Sequence, residues 1–346
     1  MPTPTTHSLT PLCHHQLLRI APAPSTSARI EIDCKMMTYL PQAFRITAIG
    51  RHASLTLCDN SRGEVGAVFE RSFYVVTQDR WVCLVPCNGG MGPLNARCDP
   101  ASLDLQIRDF IRVGDRVIVA DKTIYVGNTI SFAFDQAETW APASPIGWDA
   151  RSVARGIDGL SHFLLLRSLP REGLAVLLEQ PTRSYALLSA VAAAAQEPLR
   201  SLTQVFTAAI STNDEQCIDV QALVPLLGLG PGLTPSGDDA IGGAMIALHV
   251  LGYNRIRDSI WSQLAPIAAS ATGRISYAHL EAAAEGFGHE ALHNIINALL
   301  MGHTAHLDEK MKAINAIGHT SGWDALVGAV TVLTTWLHVQ RDSGQD

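Results

Sequence analysis

The hydrophobic rhythm of the chain changes once. From residue 44 to about 134, apolar side chains alternate with polar ones or come in short unbroken runs, the period-2 signature of strands that bury one or both faces. The pattern predicts strands over 44–49, 54–58, 65–76, 81–86, 116–120, 124–126 and 130–134. Asp59-Asn60, Asn88-Gly89-Gly90, Val113-Gly114-Asp115 and Gly127-Asn128 lie between them and supply the positive φ or local hydrogen bonds that tight turns need. That spacing suits a small β-barrel or a sandwich. A proline-containing linker, Trp140-Ala-Pro-Ala-Ser-Pro-Ile-Gly147, then gives way to helical periodicity. Helices are expected near 149–167, 171–179, 185–195, 198–211, 237–251, 255–270, 275–285, 289–301, 308–316 and 323–339. The expected fold is therefore α+β, with a β-rich domain over 41–140 followed by a mainly α-helical domain over 148–340. The run 185–195 has no solvated face, which predicts the interior of a bundle or a contact with another subunit.

Residues 1–40 fit neither pattern. Pro2, Pro4, Pro11, His14 and His15 interrupt any signal-peptide core, so this stretch is expected to be disordered, with Met36 or Met37 as the true start of translation. The 346 residues are 47% apolar, enough for a large core, yet no run reaches the ~18 consecutive apolar residues of a membrane span. A net charge of −7 leaves no basic surface for a nucleic acid. The seven cysteines are odd in number and scattered, as expected of reduced thiols in a cytoplasmic protein. Cys83 and Cys87 lack the second ligand pair a structural zinc needs, so neither metal nor cofactor is expected.

The chemistry concentrates at one glycine-rich opening of a helix, Gly228-Leu-Gly-Pro-Gly-Leu-Thr-Pro-Ser-Gly-Asp-Asp239. It is neither a Walker loop nor a dinucleotide fingerprint, and no G-x-S-x-G elbow occurs anywhere. Glycines let backbone N–H groups approach a ligand, and a helix start offers unpaired donors and a positive dipole end to an anion. Ser236 and Asp239 have the spacing of a capping box. Capping leaves Asp238 unexplained, and also Gly242 and Gly243, each costing ~1 kcal/mol inside a helix, so a neighbouring helix or a ligand must come close there. A second copy follows: the ten residues from Ser236 match the ten from Ser321 at six positions, including Gly243 and Gly328. Two helix N-termini converging on one small anion is the resulting hypothesis. Its binding residues are Gly230, Gly232, Thr234, Ser236, Gly237 and Asp239 from the first copy and Ser321, Gly322 and Asp324 from the second, with Thr272 and Ser276 flanking Arg274 at a further helix start. The candidate catalytic residues are Asp238, the carboxylate that capping leaves over, and His319, for general acid–base work or substrate contact. Glu285, His289 and His293 share a helical face, but Gly286-Phe-Gly288 breaks the helix between them, which argues against a metal site.

At these residues the chain resembles the AllH-like subunit family of the three-part oxamate carbamoyltransferase of anaerobic allantoin breakdown. The likeness runs from about residue 44 and is carried by the glycine-rich motif, the Thr272, Ser276, Leu280, Ala283, Gly286 spacing and Gly318-His-Thr-Ser-Gly-Trp-Asp324. It implies carbamoyl transfer between oxalurate and phosphate, giving oxamate and carbamoyl phosphate, in a complex with AllF-like and AllG-like subunits. The S-T-R-T and H-P-x-Q motifs of ordinary carbamoyltransferases are absent, and Pro181-Thr-Arg-Ser-Tyr185 is only an echo of the first. Three roles stay open on the sequence: a catalytic subunit, a noncatalytic ligand-sensing or scaffold subunit, and a stand-alone hydrolase of an amide or ureido acid.

Overall fold

A computed structural model describes residues 42–99, 110–128, 130–178, 188–212 and 218–343. The expectations for residues 1–40 and for the echo motif fall outside the described residues. Among the described residues nine strands form one sheet: β1 (Gln42–Gly50), β2 (Arg62–Val68), β3 (Phe73–Thr77), β4 (Arg80–Val85), β5 (Asn95–Cys98), β6 (Arg116–Ala120), β7 (Thr123–Val126), β8 (Ile130–Ala133) and β9 (Glu138–Trp140). The order β5-β4-β3-β2-β6-β7-β8-β1 closes on itself through a β1–β5 pairing, so eight strands make a barrel. β1 is long enough to close it alone. Its first half pairs with β8, its middle with β5 and its end with β9. Closure removes the open edges that an eight-stranded sheet would otherwise expose. Phe73, Val75, Val82, Leu84, Val117, Ile124 and Phe132 fill the interior.

The turns follow backbone chemistry that was only partly visible in the sequence. Gln78-Asp79 and Asp121-Lys122 both adopt positive φ at two successive residues, the geometry of two-residue hairpins that match strand twist. The predicted strand over 65–76 is two strands, because the chain reverses at 69–72, where Phe69 N–H donates to the Ser72 carbonyl at 2.8 Å. The predicted strand over 54–58 is a correction of type. Arg51–Thr56 is a short helix, α1, that buries Ala53 and Thr56 three residues apart and anchors through Ala53 N–H to the Pro93 carbonyl at 3.0 Å. Strands β5 and β9 were missed because they are only four and three residues long and β5 alternates with nothing larger than Ala96 and Cys98 on its apolar side; pairing to neighbours holds them.

The rest of the described residues are mainly helical: α2 (Ala150–Leu165), α3 (Ala190–Thr212), α4 (Ser236–Val250), α5 (Asn254–Ala271), α6 (Arg274–Ala284), α7 (Glu290–Leu300), α8 (Leu307–Asn315) and α9 (Ser321–Asp342). The expected helix over 171–179 shrinks to a single 3-10 turn, Ala175–Leu178. The alanine run before Pro198 is not enclosed. Ala192 and Ala195 are buried, whereas Ala190, Ala193 and Ala194 face solvent. The enclosed helix is α4, whose buried residues include twelve consecutive or near-consecutive positions from Ser236 to Leu248. No helix among the described residues is long and apolar enough to cross a membrane.

Helix α9 packs directly on α4, and the paired glycines explain how. A Cβ on Gly243 would lie 1.8 Å from the Ala325 carbonyl oxygen, and a Cβ on Gly328 would lie 1.8 Å from the Ala240 carbonyl oxygen. The two contacts are the same contact read from either helix, because both residue pairs are related by the 85-residue offset of the repeat. Glycine is required at each position because backbone meets backbone there. The close neighbour demanded by Gly243 is therefore a helix.

Candidate functional site

The two helix openings meet side by side. Thr234 Oγ1 and Ser321 Oγ are 2.8 Å apart, and the hydroxyls act across the pair: Ser321 on the Asp239 carboxyl and Ser236 on the Asp324 carboxyl. Neither opening is a capping box. The residue before α4 is Pro235 and the residue before α9 is Thr320, and neither caps its helix with a side chain. Ser236 is instead the first helical residue, nearly fully buried, and Asp239 turns toward the other helix.

The two aspartates of the first opening have separate fates. Asp238 has both oxygens engaged: Oδ1 accepts from Gly228 N–H at 2.8 Å, and Oδ2 accepts from the Ser276 hydroxyl at 2.7 Å and from the Thr272 hydroxyl. It ties the glycine loop to the start of α6. Asp239 keeps one oxygen, Oδ2, buried and without a hydrogen-bond partner among the described residues. Burial pushes its carboxyl well above the usual range, the Ser321 hydroxyl pulls it back, and the charges of Asp324 and Asp238 push it further up. Asp324 is fully buried and is raised by the same desolvation. Its Oδ1 accepts from Leu174 N–H at 2.6 Å and its Oδ2 is likewise unpartnered.

Between this helix pair and the barrel lies a cleft of about 690 Å³. The helical wall presents Thr234, Asp238, Asp239, Gly242, Ser276 and His279, together with Ser321 and Gly322. The barrel wall presents Arg71, Tyr74, Cys83 and the 88–90 loop. Alternation in β3 explains the barrel side: Phe73 and Val75 point into the barrel, so Tyr74 points out, beside its cross-strand partner Cys83. Tyr74 Oη lies 3.3 Å from His279 Nε2. Burial holds His279 and His289 down at about 4, so both are neutral near pH 7. His289 Nδ1 accepts from Ala291 N–H at 3.2 Å, which leaves its proton on Nε2, the edge turned toward Gly90. The barrel loop is fixed to α7 by Glu290 N–H donating to the Met91 carbonyl at 2.7 Å and Met91 N–H donating to Glu290 at 3.1 Å.

Several sequence candidates stand apart from the cleft. Gly230 and Gly232 adopt positive φ of 109° and 105° in the loop but do not line it, and Gly237 is packed against the Leu226 carbonyl. The loop glycines thus shape the turn into α4 and offer no cradle to the cleft. Asp324 lies behind Asp239, out of the cleft lining. His319 is 82% exposed and sits 3.2 Å from Glu172, outside the lining. Glu285 pairs with His52 at 3.4 Å, and His293 Nε2 accepts from Gly288 N–H at 3.0 Å, so Glu285, His289 and His293 do not converge. What sequence reasoning missed is the barrel wall. Its only signal was a tyrosine at an outward position of an alternating strand, which reads as an ordinary surface residue until the helices are packed against it.

A family model described as oxamate carbamoyltransferase subunit AllH matches residues 226–333, and a second, described as the AllH family N-terminal domain, matches residues 42–139. The chain belongs to the AllH family. No solved structure matches it. The N-terminal AllH match spans the barrel, and the other contains both helix openings, so each AllH region contributes one wall of the cleft.

Proposed function

We propose that this chain serves as the AllH subunit of an oxamate carbamoyltransferase and that the cleft binds its small anionic substrates. The reaction is carbamoyl transfer between oxalurate and phosphate, yielding oxamate and carbamoyl phosphate, with AllF-like and AllG-like subunits as partners and catalysis shared with them. The observation that carries the reading is the polarity of the cleft. Among the described lining residues Arg71 is the only arginine or lysine, and it belongs to the barrel wall, whereas Thr234, Ser321 and Asp239 belong to the helical wall. Oxalurate has the same polarity, a carboxylate at one end and an uncharged carbamoyl group at the other. Arg71 would take the carboxylate or phosphate, with the His289 Nε2–H as a second donor, and the carbamoyl group would meet Thr234, Ser321 and Asp239.

This modifies the cradle expected from sequence. The positive ends of the two helices already face the protein's own carboxyls, so the anionic part of the ligand belongs at the Arg71 end. Thermal-shift titration of the full chain with phosphate, oxamate and carbamoyl phosphate tests the proposal. A ligand at about a hundredfold excess over its Kd stabilises by about 2.7 kcal/mol, so the melting temperature should rise by several degrees and Arg71→Ala should abolish the rise. No response to any of the three would sink the reading. Hydrolysis of oxalurate by this chain alone, without phosphate, would replace it with a hydrolase.

A further inference from the structure

We infer that the Tyr74 hydroxyl of the barrel turns its proton into the cleft and gives it as a hydrogen bond to the carbamoyl oxygen during transfer, with His279 Nε2–H holding the phenol from behind. The tyrosine–histidine pair stands on geometry, and its catalytic role rests on the transferase reading.

Tyr74 joins the barrel to α6 inside the cleft. Its Oη lies 3.3 Å from His279 Nε2, and both residues line the cleft. Three neighbours hold the ring edge-on: Phe69 at 6.0 Å between centroids, Trp81 at 6.3 Å and His279 at 6.5 Å, with interplanar angles of 72° to 82°. The hydroxyl therefore has a fixed position before any ligand arrives.

Hydrogen bonds and packing carry that position to the helix openings. His279 and Ser276 are three residues apart on α6 and share a face, and Ser276 Oγ donates to Asp238 at 2.7 Å. Ala283, next on the same face, meets α4 at Gly242, where an added Cβ would lie 3.6 Å from the Ala283 Cβ. Gly242 is in turn three residues from Asp239 on α4, and both line the cleft. Tyr74 is thereby tied to the surface of α4 that carries Asp239. Along the barrel, Arg71 precedes Tyr74 by three residues, at most ~11 Å of extended chain. A ligand whose carboxylate is at Arg71 brings its carbamoyl group toward Tyr74.

A phenol has one proton and two acceptor sites. Burial holds His279 at about 4, so its imidazole is neutral and carries a single ring proton. Cys83, the cross-strand partner of Tyr74, also hydrogen-bonds the hydroxyl, and burial pushes its thiol up to about 12. Two protonated neighbours fill the acceptor sites of Oη and leave its own proton for the cleft. Burial raises the phenol as well, so Tyr74 remains an O–H donor at neutral pH. Neither member of the pair gives up a proton, and what it supplies is polarisation of a carbonyl.

In the transfer a phosphate oxygen bonds to the carbamoyl carbon, and the π electron pair of the carbonyl moves onto its oxygen. That oxygen becomes an anion only then, and the Tyr74 O–H stabilises it. The pair returns, the bond to the oxamate nitrogen breaks with its electrons going to nitrogen, and nitrogen takes the proton that hydrogen phosphate brought. Tyr74 is the catalytic residue and His279 its positioning residue.

Turnover of the complex assembled from this chain and its partner subunits tests the role. Tyr74→Phe keeps the ring and its aromatic contacts, so the melting temperature should hold while kcat falls by about a hundredfold or more and KM for phosphate stays within roughly threefold. His279→Gln keeps an N–H near the place of Nε2 and should retain most of kcat, whereas His279→Leu should lose about tenfold. Wild-type kcat in folded Tyr74→Phe overturns the catalytic role, and equal losses in the two His279 variants overturn the positioning. Nitrogen NMR of the full chain with labelled histidine at neutral pH reads the tautomer: the His279 proton is expected on Nε2, and a proton on Nδ1 overturns the donor direction. Should Tyr74→Phe not fold, by circular dichroism, the contrast between the His279 variants and the tautomer decide. If the wild-type complex makes no carbamoyl phosphate from oxalurate and phosphate, the transferase reading fails and the catalytic role with it, while the NMR result still rules on the pair.

Discussion

The two helix openings share six of ten residues and yet differ in what they face. At the first, Asp239 lines the cleft and Asp238 stitches the glycine loop to α6. At the second, Asp324 is fully buried and bonded to Leu174 N–H, and the position equivalent to Asp238 is Trp323, whose indole N–H donates to Asn315 at 2.9 Å. Near-symmetry therefore ends at the interhelix contact. Outside it, one copy has the barrel as neighbour and the other has the 173–174 turn, and the same aspartate becomes a cleft residue in one place and a buried prop in the other. A repeated motif identifies a repeated contact, and its surroundings decide whether the contact is also a site.

Acid should have the largest effect, and it should spare the openings. His279, His289 and His293 are held at about 4 in the folded protein against an ordinary value of 6.5, so the unfolded chain binds more protons between those values. Stability is expected to fall as pH drops from 6.5 toward 4. The raised carboxyls of Asp239 and Asp324 work in the opposite direction: the folded state keeps protons that the unfolded state has released, so their contribution declines as pH rises above the usual carboxylate range. Melting temperature against pH should therefore show an acid limb that His279→Gln and His293→Gln soften and a neutral limb that Asp324→Asn flattens. An acid limb that responds only to the aspartate variants would reverse this assignment.

Next in size is the crossing. Gly243→Val and Gly328→Val each force a side chain into a carbonyl, and each should cost ~3 kcal/mol or more, measured by urea denaturation. Similar losses would confirm a symmetric contact; a tolerated substitution at either glycine would break the comparison. Asp238→Ala leaves the Gly228 amide and two hydroxyls without their acceptor and should cost roughly 3 kcal/mol, against about 1 kcal/mol for Trp323→Phe, which removes one hydrogen bond. Equal costs would mean that the differing position is equivalent after all. The smallest effect is expected at His319→Ala, within about 0.5 kcal/mol and with phosphate response unchanged, because an exposed residue outside the cleft supports neither packing nor binding.

Much of the helical half was legible in advance. Periodicity located α4 to α9 to within a few residues, since long amphipathic or enclosed helices repeat their signal over several turns. The barrel was legible as strands and turns, but α1 passed for a strand because six residues are too few to separate period 2 from period 3.6. The glycine motif and its second copy pointed to two helix openings that the fold brings side by side. They did not separate the roles of Asp238 and Asp239, because adjacent residues on a helix point some 100° apart and only the packing shows which direction holds hydroxyls and which holds the cleft.

By itself, then, the sequence determined a β region followed by helices, two matched openings, and glycines that had to admit a close neighbour. These are local or repeated features, carried by backbone propensity and by side-chain period. Tertiary structure decided the rest: that the neighbour of Gly243 is α9, that the barrel supplies the second wall through Tyr74 and Arg71, and that two aspartates 85 residues apart are each desolvated and approached by the serine of the other helix. Burial and charge coupling depend on what lies across a contact, and no window of sequence contains both sides of it.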